Sequence, residues 1–319
     1  MDLSGCIIEP PRDRHHEALA AVFNGSRERA QRFLAMGRTD SPHLLLAVSS
    51  SVGRFEHAAV LCAYPGRTAM LMVTSPRRDR DTPAVEALVR EAIRRGPELN
   101  ALLVQALVEP LRDSESRSLH AGGMRVIGTL AYLERPRENR PARDRESALP
   151  AGVRIRSWDA DERELLERLL EQTYVDSLDC PGLSALRPTR DILEGHMRTG
   201  VLDPRRWLIL EVDGDPAGVA LTSEIPSSDC VEIVYFGLAP RARGRGLGAA
   251  LLDRALECVR GERVTLACDE SNAPAMKLYR SRGFALRLRR TAMVAPTALC
   301  KSTALPTTYP LRVDSRASC

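Results

Sequence analysis

The sequence predicts a mixed α/β protein built as two tandem copies of one domain plan. Its 319 residues suit two domains at roughly 150 residues each. The stretch Pro136 to Pro150, PRENRPARDRESALP, holds three prolines and seven charges with almost nothing apolar, so it reads as a linker between halves of similar length. The halves also end alike: Leu119-His120 before Gly123-Met124 echoes Leu278-Tyr279 before Gly283-Phe284, with one residue fewer between, chance similarity of two α/β ends being the plain alternative. The expected layout is one domain over 1–135, a linker over 136–150, a second domain over 151–295 and a loosely ordered tail over 296–319.

The second half has the clearer pattern. Val153–Trp158 alternates like a strand, and Asp161–Tyr174 carries Leu165, Leu166, Leu169 and Leu170 at helical spacing. Trp207–Val212 and Ala217–Ile225 read as strands around the turn Asp213-Gly214-Asp215-Pro216. Val231–Leu238 is a further strand running into Pro240. Leu247–Val259 is an amphipathic helix stopped by Gly261. Val264–Cys268 reads as a buried strand, Asn272 caps a short helix to Arg280, and Phe284–Val294 gives one or two closing strands. The first half repeats the tail of this order: strand Thr68–Val73, helix Pro83–Arg94, strand Asn100–Val108, short helix Ser114–Ala121 and closing strands over Met124–Leu133.

Composition narrows the function. With 44% hydrophobic and 28% charged residues the chain has a real core and is neither disordered nor fibrous. The 46 basic residues, all arginine except Lys277 and Lys301, are nearly balanced by 42 acids, so the net +4 gives no reason to expect nucleic acid as a partner. No apolar run approaches the ~20 residues of a membrane span, and MDLSGCIIEPPRDRHH lacks the apolar core of a signal peptide. The eight scattered cysteines form no CxxC pair, so neither a zinc site nor a disulfide framework is expected. A cytoplasmic chain with reduced thiols, no metal and a monomeric or homodimeric state is the expectation.

The chemistry concentrates in Glu232-Ile-Val-Tyr-Phe-Gly-Leu-Ala-Pro-Arg-Ala-Arg-Gly-Arg-Gly-Leu-Gly248. A strand ends at a proline, a glycine-rich turn follows, and a helix begins. Free backbone N–H groups and the helix N-terminus make such a turn an anion site. Gly244, Gly246 and Gly248 let a pyrophosphate approach the backbone, and Arg241, Arg243 and Arg245 add countercharge. The loop is neither a Walker P-loop nor a dinucleotide fingerprint. Its Arg-x-x-Gly-x-Gly spacing resembles the pyrophosphate loop of the GNAT superfamily, the acetyl-CoA-dependent N-acetyltransferases. Asn272-Ala-Pro-Ala-Met-Lys-Leu-Tyr-Arg-Ser-Arg-Gly-Phe284 resembles a second motif of that family, one strand later. The tandem length resembles the mycothiol synthase group, in which one half is active and the other has decayed. The N-terminal counterpart loop, Ser75-Pro-Arg-Arg-Asp-Arg-Asp-Thr-Pro83, has no glycine and two acids, and should not take a pyrophosphate the same way.

The resemblance implies a central, mostly antiparallel sheet with flanking helices in each half, and acetyl-CoA as co-substrate. Phe236, Gly237 and Leu238 would pair with pantetheine, with the Leu238 amide at the oxyanion. Arg243, Gly244, Arg245, Gly246, Leu247, Gly248, Ala249 and Asn272 complete the implied cofactor set. Glu232 is the implied base, direct or through water, with Glu224 on the preceding strand as competitor and an ordinary edge-strand glutamate as the plain alternative. Tyr279 is the implied acid: a pKa of ~10 suits protonating a thiolate whose own is ~8.5. The alternative is a tyrosine packed under the cofactor. His120 holds its place in the first half. Asp176 and Asp179, after the first helix of the second half, are candidates to hold a cationic acceptor; a solvated acidic loop is the other reading. The implied reaction moves an acetyl group to a primary amine of a small molecule, an amino-sugar or amino-thiol being candidates. A non-catalytic acetyl-CoA-binding module and an acetyltransferase acting on a protein amine are the alternatives.

Overall fold

The computed structural model describes residues 7–35, 43–49, 53–110, 113–136, 149–181, 183–259 and 262–300. Most of the expected linker, the tail beyond 300 and the helix stop at Gly261 lie outside the described residues. In chain order the elements are β1 (Ile7–Ile8), α1 (His15–Val22), α2 (Arg27–Ala35), β2 (His43–Ser49), β3 (Phe55–Tyr64), β4 (Thr68–Val73), α3 (Thr82–Arg95), β5 (Leu103–Val108), α4 (Asp113–Ala121) and β6 (Arg125–Arg135). There follow β7 (Val153–Ser157), α5 (Arg163–Tyr174), α6 (Thr189–Met197), β8 (Val201–Leu202), β9 (Leu208–Val212), β10 (Asp215–Ile225), β11 (Cys230–Leu238), α7 (Leu247–Cys258), β12 (Val264–Asp269), α8 (Ala273–Ser281) and β13 (Ala285–Pro296).

The chain forms two compact units. The first comprises residues 1–128, 185–187 and 290–319, and the second 129–184 and 188–289. Each is a mostly antiparallel sheet with helices on both faces, the α/β class expected. The unit boundaries differ from a simple cut at the linker, because each unit is closed by a strand from the other half of the sequence. In the first unit the C-terminal part of β13 pairs with β5, Thr291 opposite Val108 through Pro296 opposite Leu103. In the second, β6 pairs with β12, Val264 opposite Arg135 through Asp269 opposite Leu130. Two halves of one plan present equivalent strands for closure, so exchanging an equivalent element conserves the pairing.

In the second unit, strand alternation sorts side chains between two helical layers. Val231, Ile233, Leu266 and Cys268 pack under α7 and α8 with Leu252, Met276 and Phe284. On the other face, Val219 and Leu221 pack with Leu166, Leu169 and Leu170 of α5 and Leu193 of α6. Trp207 anchors that layer, its indole N–H donating to the Thr222 carbonyl at 2.8 Å. The first unit repeats the plan, with Val85, Leu88 and Val89 of α3 on one face and Leu19 of α1 and Ala30 of α2 on the other.

Candidate active site

The site grows from an interruption in β11. Its one parallel partner, β12, stays paired only at Val231–Val264, Glu232–Thr265 and Ile233–Leu266. Beyond Ile233 the strands separate, β11 running on to Leu238 and β12 to Asp269. On the β10 side the register jumps from Leu221–Tyr235 to Thr222–Ile233, leaving Val234 as a bulge. A bulge sharpens strand twist and re-aims side chains. The result is a wedge with the backbone of 234–238 along one edge.

The glycine-rich turn follows directly. Gly244 and Gly246 have φ of +71° and +75°, and a Cβ on either would meet nothing within 4 Å. The N–H groups of Gly244, Arg245 and Gly246 donate to no backbone carbonyl, and that of Leu247 opens α7, where intrahelical acceptors are lacking. This is an open anion nest at a helix N-terminus, the geometry a pyrophosphate needs. The arginines divide differently from expectation. Arg241 is tied to the Gln172 side chain and the Pro216 carbonyl. Arg243 donates to the carbonyls of Leu238 at 2.9 Å, Asp176 at 3.0 Å and Thr173 at 2.9 Å. Only Arg245, exposed and with a single long contact to the Arg241 carbonyl, keeps its charge at the open side of the turn. Asn272 caps α8, accepting from the Ala275 N–H, and Gly248 and Ala249 begin α7.

Arg243 therefore works as a strap between the strand end and the 174–181 loop. That loop holds two non-glycine residues at positive φ, Asp176 (+51°) and Cys180 (+45°), conformations that persist only where the surroundings impose them. A second set of bonds secures its far end to β12. Asp179 Oδ1 accepts from the Asp269 N–H at 2.7 Å, and Asp269 Oδ2 accepts from the Cys180 N–H at 3.3 Å. Asp269 is 1% exposed and its other oxygen accepts from the Ser271 N–H and hydroxyl. Loss of water raises the pKa of the Asp179 carboxyl, and burial raises the Cys180 and Cys268 thiols beside it. Raised thiol pKa values mean little thiolate at neutral pH, so neither cysteine is set up as a nucleophile. Arg243→Ala should raise the acceptor KM at least about tenfold, by freeing the loop, while acetyl-CoA affinity changes by less than about threefold. Steady-state kinetics and calorimetry check this; parallel losses in both would place the guanidinium on the pyrophosphate instead.

Glu232 and Tyr279 approach the wedge from opposite layers. Val231 and Ile233 point toward α7 and α8, so Glu232 between them projects to the other face. There it makes no hydrogen bond or ion pair, and burial alone raises its pKa. Tyr279, 5% exposed, is rooted in the α8 layer, edge-on to Phe236 at 6.2 Å and Phe284 at 5.8 Å. Burial, then the neighbouring Cys268, Asp179 and Tyr235, push its pKa well above 10. Asp179 and Tyr235 belong to the α5 side, so Tyr279 faces the wedge where the layers meet. Tyr235 bonds Thr173 at 2.7 Å. A Cβ on Gly237 would fall 2.8 Å from the Tyr235 hydroxyl and 3.0 Å from Thr173 Cβ, so a larger residue there would press on this bonded pair. Glu224 is set apart. It is exposed on the opposite face from Glu232 and lines a surface depression with Thr222, Asp203 and Arg206. Among the described residues no cluster of three or more His, Cys, Asp or Glu is arranged for a metal, and no helix is long and apolar enough to cross a membrane.

Residues 165–284 match the Acetyltransferase (GNAT) family, the span that contains wedge, nest, Glu232 and Tyr279. That segment is similar to GNAT acetyltransferases. It is 34% identical over 172 residues to a mycothiol acetyltransferase of Beutenbergia cavernae, covering 51% of this chain and 57% of that protein. A mycothiol acetyltransferase of Stackebrandtia nassauensis is 38% identical over 143 residues, covering 42% and 45%. The match thus spans about half the length of these curated relatives. One from Clavibacter michiganensis aligns at 28% identity over 79% of each chain. Among solved structures, a GCN5-related N-acetyltransferase from Sphaerobacter thermophilus superposes with a TM-score of 0.58 at 18% identity, over 91% of this chain and 95% of that one, which shows the fold.

The first unit keeps the wedge but not the nest. Its parallel strands β4 and β5 pair only from Thr68–Leu103 to Met70–Gln105. In the following loop, Asp81 Oδ2 accepts from the N–H groups of Arg77 at 3.1 Å and Arg78 at 3.0 Å. A carboxylate of the chain itself occupies the donors that an anion would use.

Proposed function

We propose that the chain transfers the acetyl group of acetyl-CoA to the primary amine of a small molecule, using the second unit alone. The observation that carries this reading is the wedge. An open anion nest flanks it, a desolvated unpaired carboxyl enters from one layer, and a buried phenol enters from the other. The nest residues 244–247 fit the pyrophosphate, and the strand edge at 236–238 fits pantetheine. Bound acetyl-CoA supplies an activated thioester acyl group.

Glu232 is the base. Burial raises its pKa, which makes its ionised form a stronger proton acceptor than a solvated carboxylate. Tyr279 is the acid, its hydroxyl protonated at any physiological pH and free to pass its proton to the departing thiolate. With acetyl-CoA bound, the Leu238 amide would stabilise the carbonyl oxygen that gains charge. Positioning by strap and loop contributes heavily, since good alignment is worth ~7–11 kcal/mol. On the acceptor side, Glu232 and Asp179 supply negative charge without a basic partner. That favours a cationic amine over an anionic acceptor. The relatives are named mycothiol acetyltransferases, so desacetylmycothiol is the first acceptor to test.

Calorimetry with acetyl-CoA should give one site per chain, because Asp81 closes the first unit's loop. A panel of desacetylmycothiol, glucosamine, cysteamine and a lysine-containing peptide should show acetylation of a small amine. Two donor sites would contradict the single-unit assignment. Donor binding without acetylation of any amine would favour a binding module, and acetylation of the peptide alone would move the acceptor to protein.

A further inference from the structure

Directly across β10 from Glu232 stands Ser223. Residues opposite one another in an antiparallel pair project from the same face, with Cβ atoms about 4.5–5.5 Å apart. Ser223 is 1% exposed, and its hydroxyl has no hydrogen-bond partner. A buried hydroxyl left unmade costs free energy, and most such groups in folded chains are satisfied. Beside it is Glu232, a carboxyl that also lacks a partner. Two unpartnered polar groups thus sit side by side, within reach of one another through the rotatable glutamate side chain.

We infer that Ser223 is the positioning residue of the base: its hydroxyl donates to the ionised Glu232 carboxylate, directly or through the water that relays the acceptor's proton. This rests on the reading of Glu232 as base. The proton leaves the acceptor ammonium and ends on Glu232, and the serine proton stays on its oxygen. The hydroxyl fixes one carboxylate oxygen and leaves the other for the incoming proton. Other polar groups share this face. β12 presents Thr265 next to Glu232. Beyond it Glu134 of β6 is ion-paired with Arg263 and Arg287. On the same face, Tyr235 bonds Thr173 of α5, and His196 of α6 lies against the Tyr235 ring. Asp269 at the end of β12 is held by Ser271 and Cys180. Glu224, next to Ser223 in sequence, points to the opposite face.

The test is an infrared titration of the full chain, following the protonated carboxyl band that disappears in Glu232→Gln. A hydrogen bond to the charged form lowers a carboxyl pKa, so Ser223→Ala should raise the midpoint by about one pH unit, the size of one bond to a charged group. Ser223→Thr, which keeps the hydroxyl, should restore it. Acetyl-CoA affinity and the far-UV circular dichroism spectrum should be unchanged in Ser223→Ala, since the lost hydroxyl is not part of the anion nest. A midpoint unmoved by Ser223→Ala overturns the proposal, as does an equal rise in both serine variants. Failure of the base reading itself looks different: Glu232→Gln would then retain full turnover whatever the serine does to the titration.

Discussion

Gly246→Asp is expected to abolish acetyl-CoA binding while the chain stays folded. The backbone at Gly246 is left-handed, φ +75° and ψ −4°, at the N-cap of α7. Aspartate visits that region more readily than most residues, at a cost on the order of 1–2 kcal/mol. A Cβ there meets nothing within 4 Å, so no packing is lost. The added carboxylate, however, sits among the N–H groups of 244–247. It can take those donors for itself and repel a pyrophosphate; like charges ~4 Å apart near a surface cost about 4 kcal/mol. Affinity should fall at least about 100-fold by calorimetry, with far-UV circular dichroism unchanged. Gly246→Ala, which adds strain without charge, should lose much less. The first unit already contains the natural version of this substitution, Asp81 on the N–H groups of Arg77 and Arg78. Wild-type affinity in Gly246→Asp would show that the nest is not the donor site.

Much of this site was legible in the sequence because its parts are local. A glycine-rich turn after a strand, Asn272 before α8, and Glu232 between Val231 and Ile233 are each set by neighbours in the chain. The same local logic recovered β9 to β12 and α7 to α8. What escaped was set by distance. Nothing near Arg243 indicates that its guanidinium crosses to carbonyls about 70 residues earlier instead of facing a phosphate. The exchange of closing strands was hidden because β6 and β13 read alike in sequence. In the first half, α1, α2, β2 and β3 went unread, and in the second α6. Leu44, Leu45 and Leu46 of β2 are all buried, since helices cover both faces of that strand. A strand buried on both faces shows a continuous apolar run, not alternation. Ser223 and Glu232 are nine residues apart, and only the β10–β11 register makes them neighbours.

Tyr279→Phe should leave acetyl-CoA affinity nearly unchanged while turnover falls about 10²–10⁴-fold, the range for a general acid. The ring is edge-on to Phe236 and Phe284, so phenylalanine keeps the packing. Only the hydroxyl goes, and burial keeps it protonated at neutral pH. Glu232→Gln should cost a similar factor by a different route, which the pH–rate profile separates. A base must be deprotonated, so the rate falls as pH drops through the Glu232 pKa. Burial raises that pKa above the ordinary carboxylate value, which moves the acidic limb toward neutrality. In Glu232→Gln the limb should vanish along with most of the rate, whereas Tyr279→Phe should keep the limb at its wild-type midpoint with a lower plateau. Glu224→Gln should alter neither, since its carboxylate is exposed on the other face. Loss of the limb in Glu224→Gln with a normal profile in Glu232→Gln would transfer the base to β10. Full turnover in both Glu232→Gln and Tyr279→Phe would leave positioning by the strap, loop and nest as the whole of the catalysis.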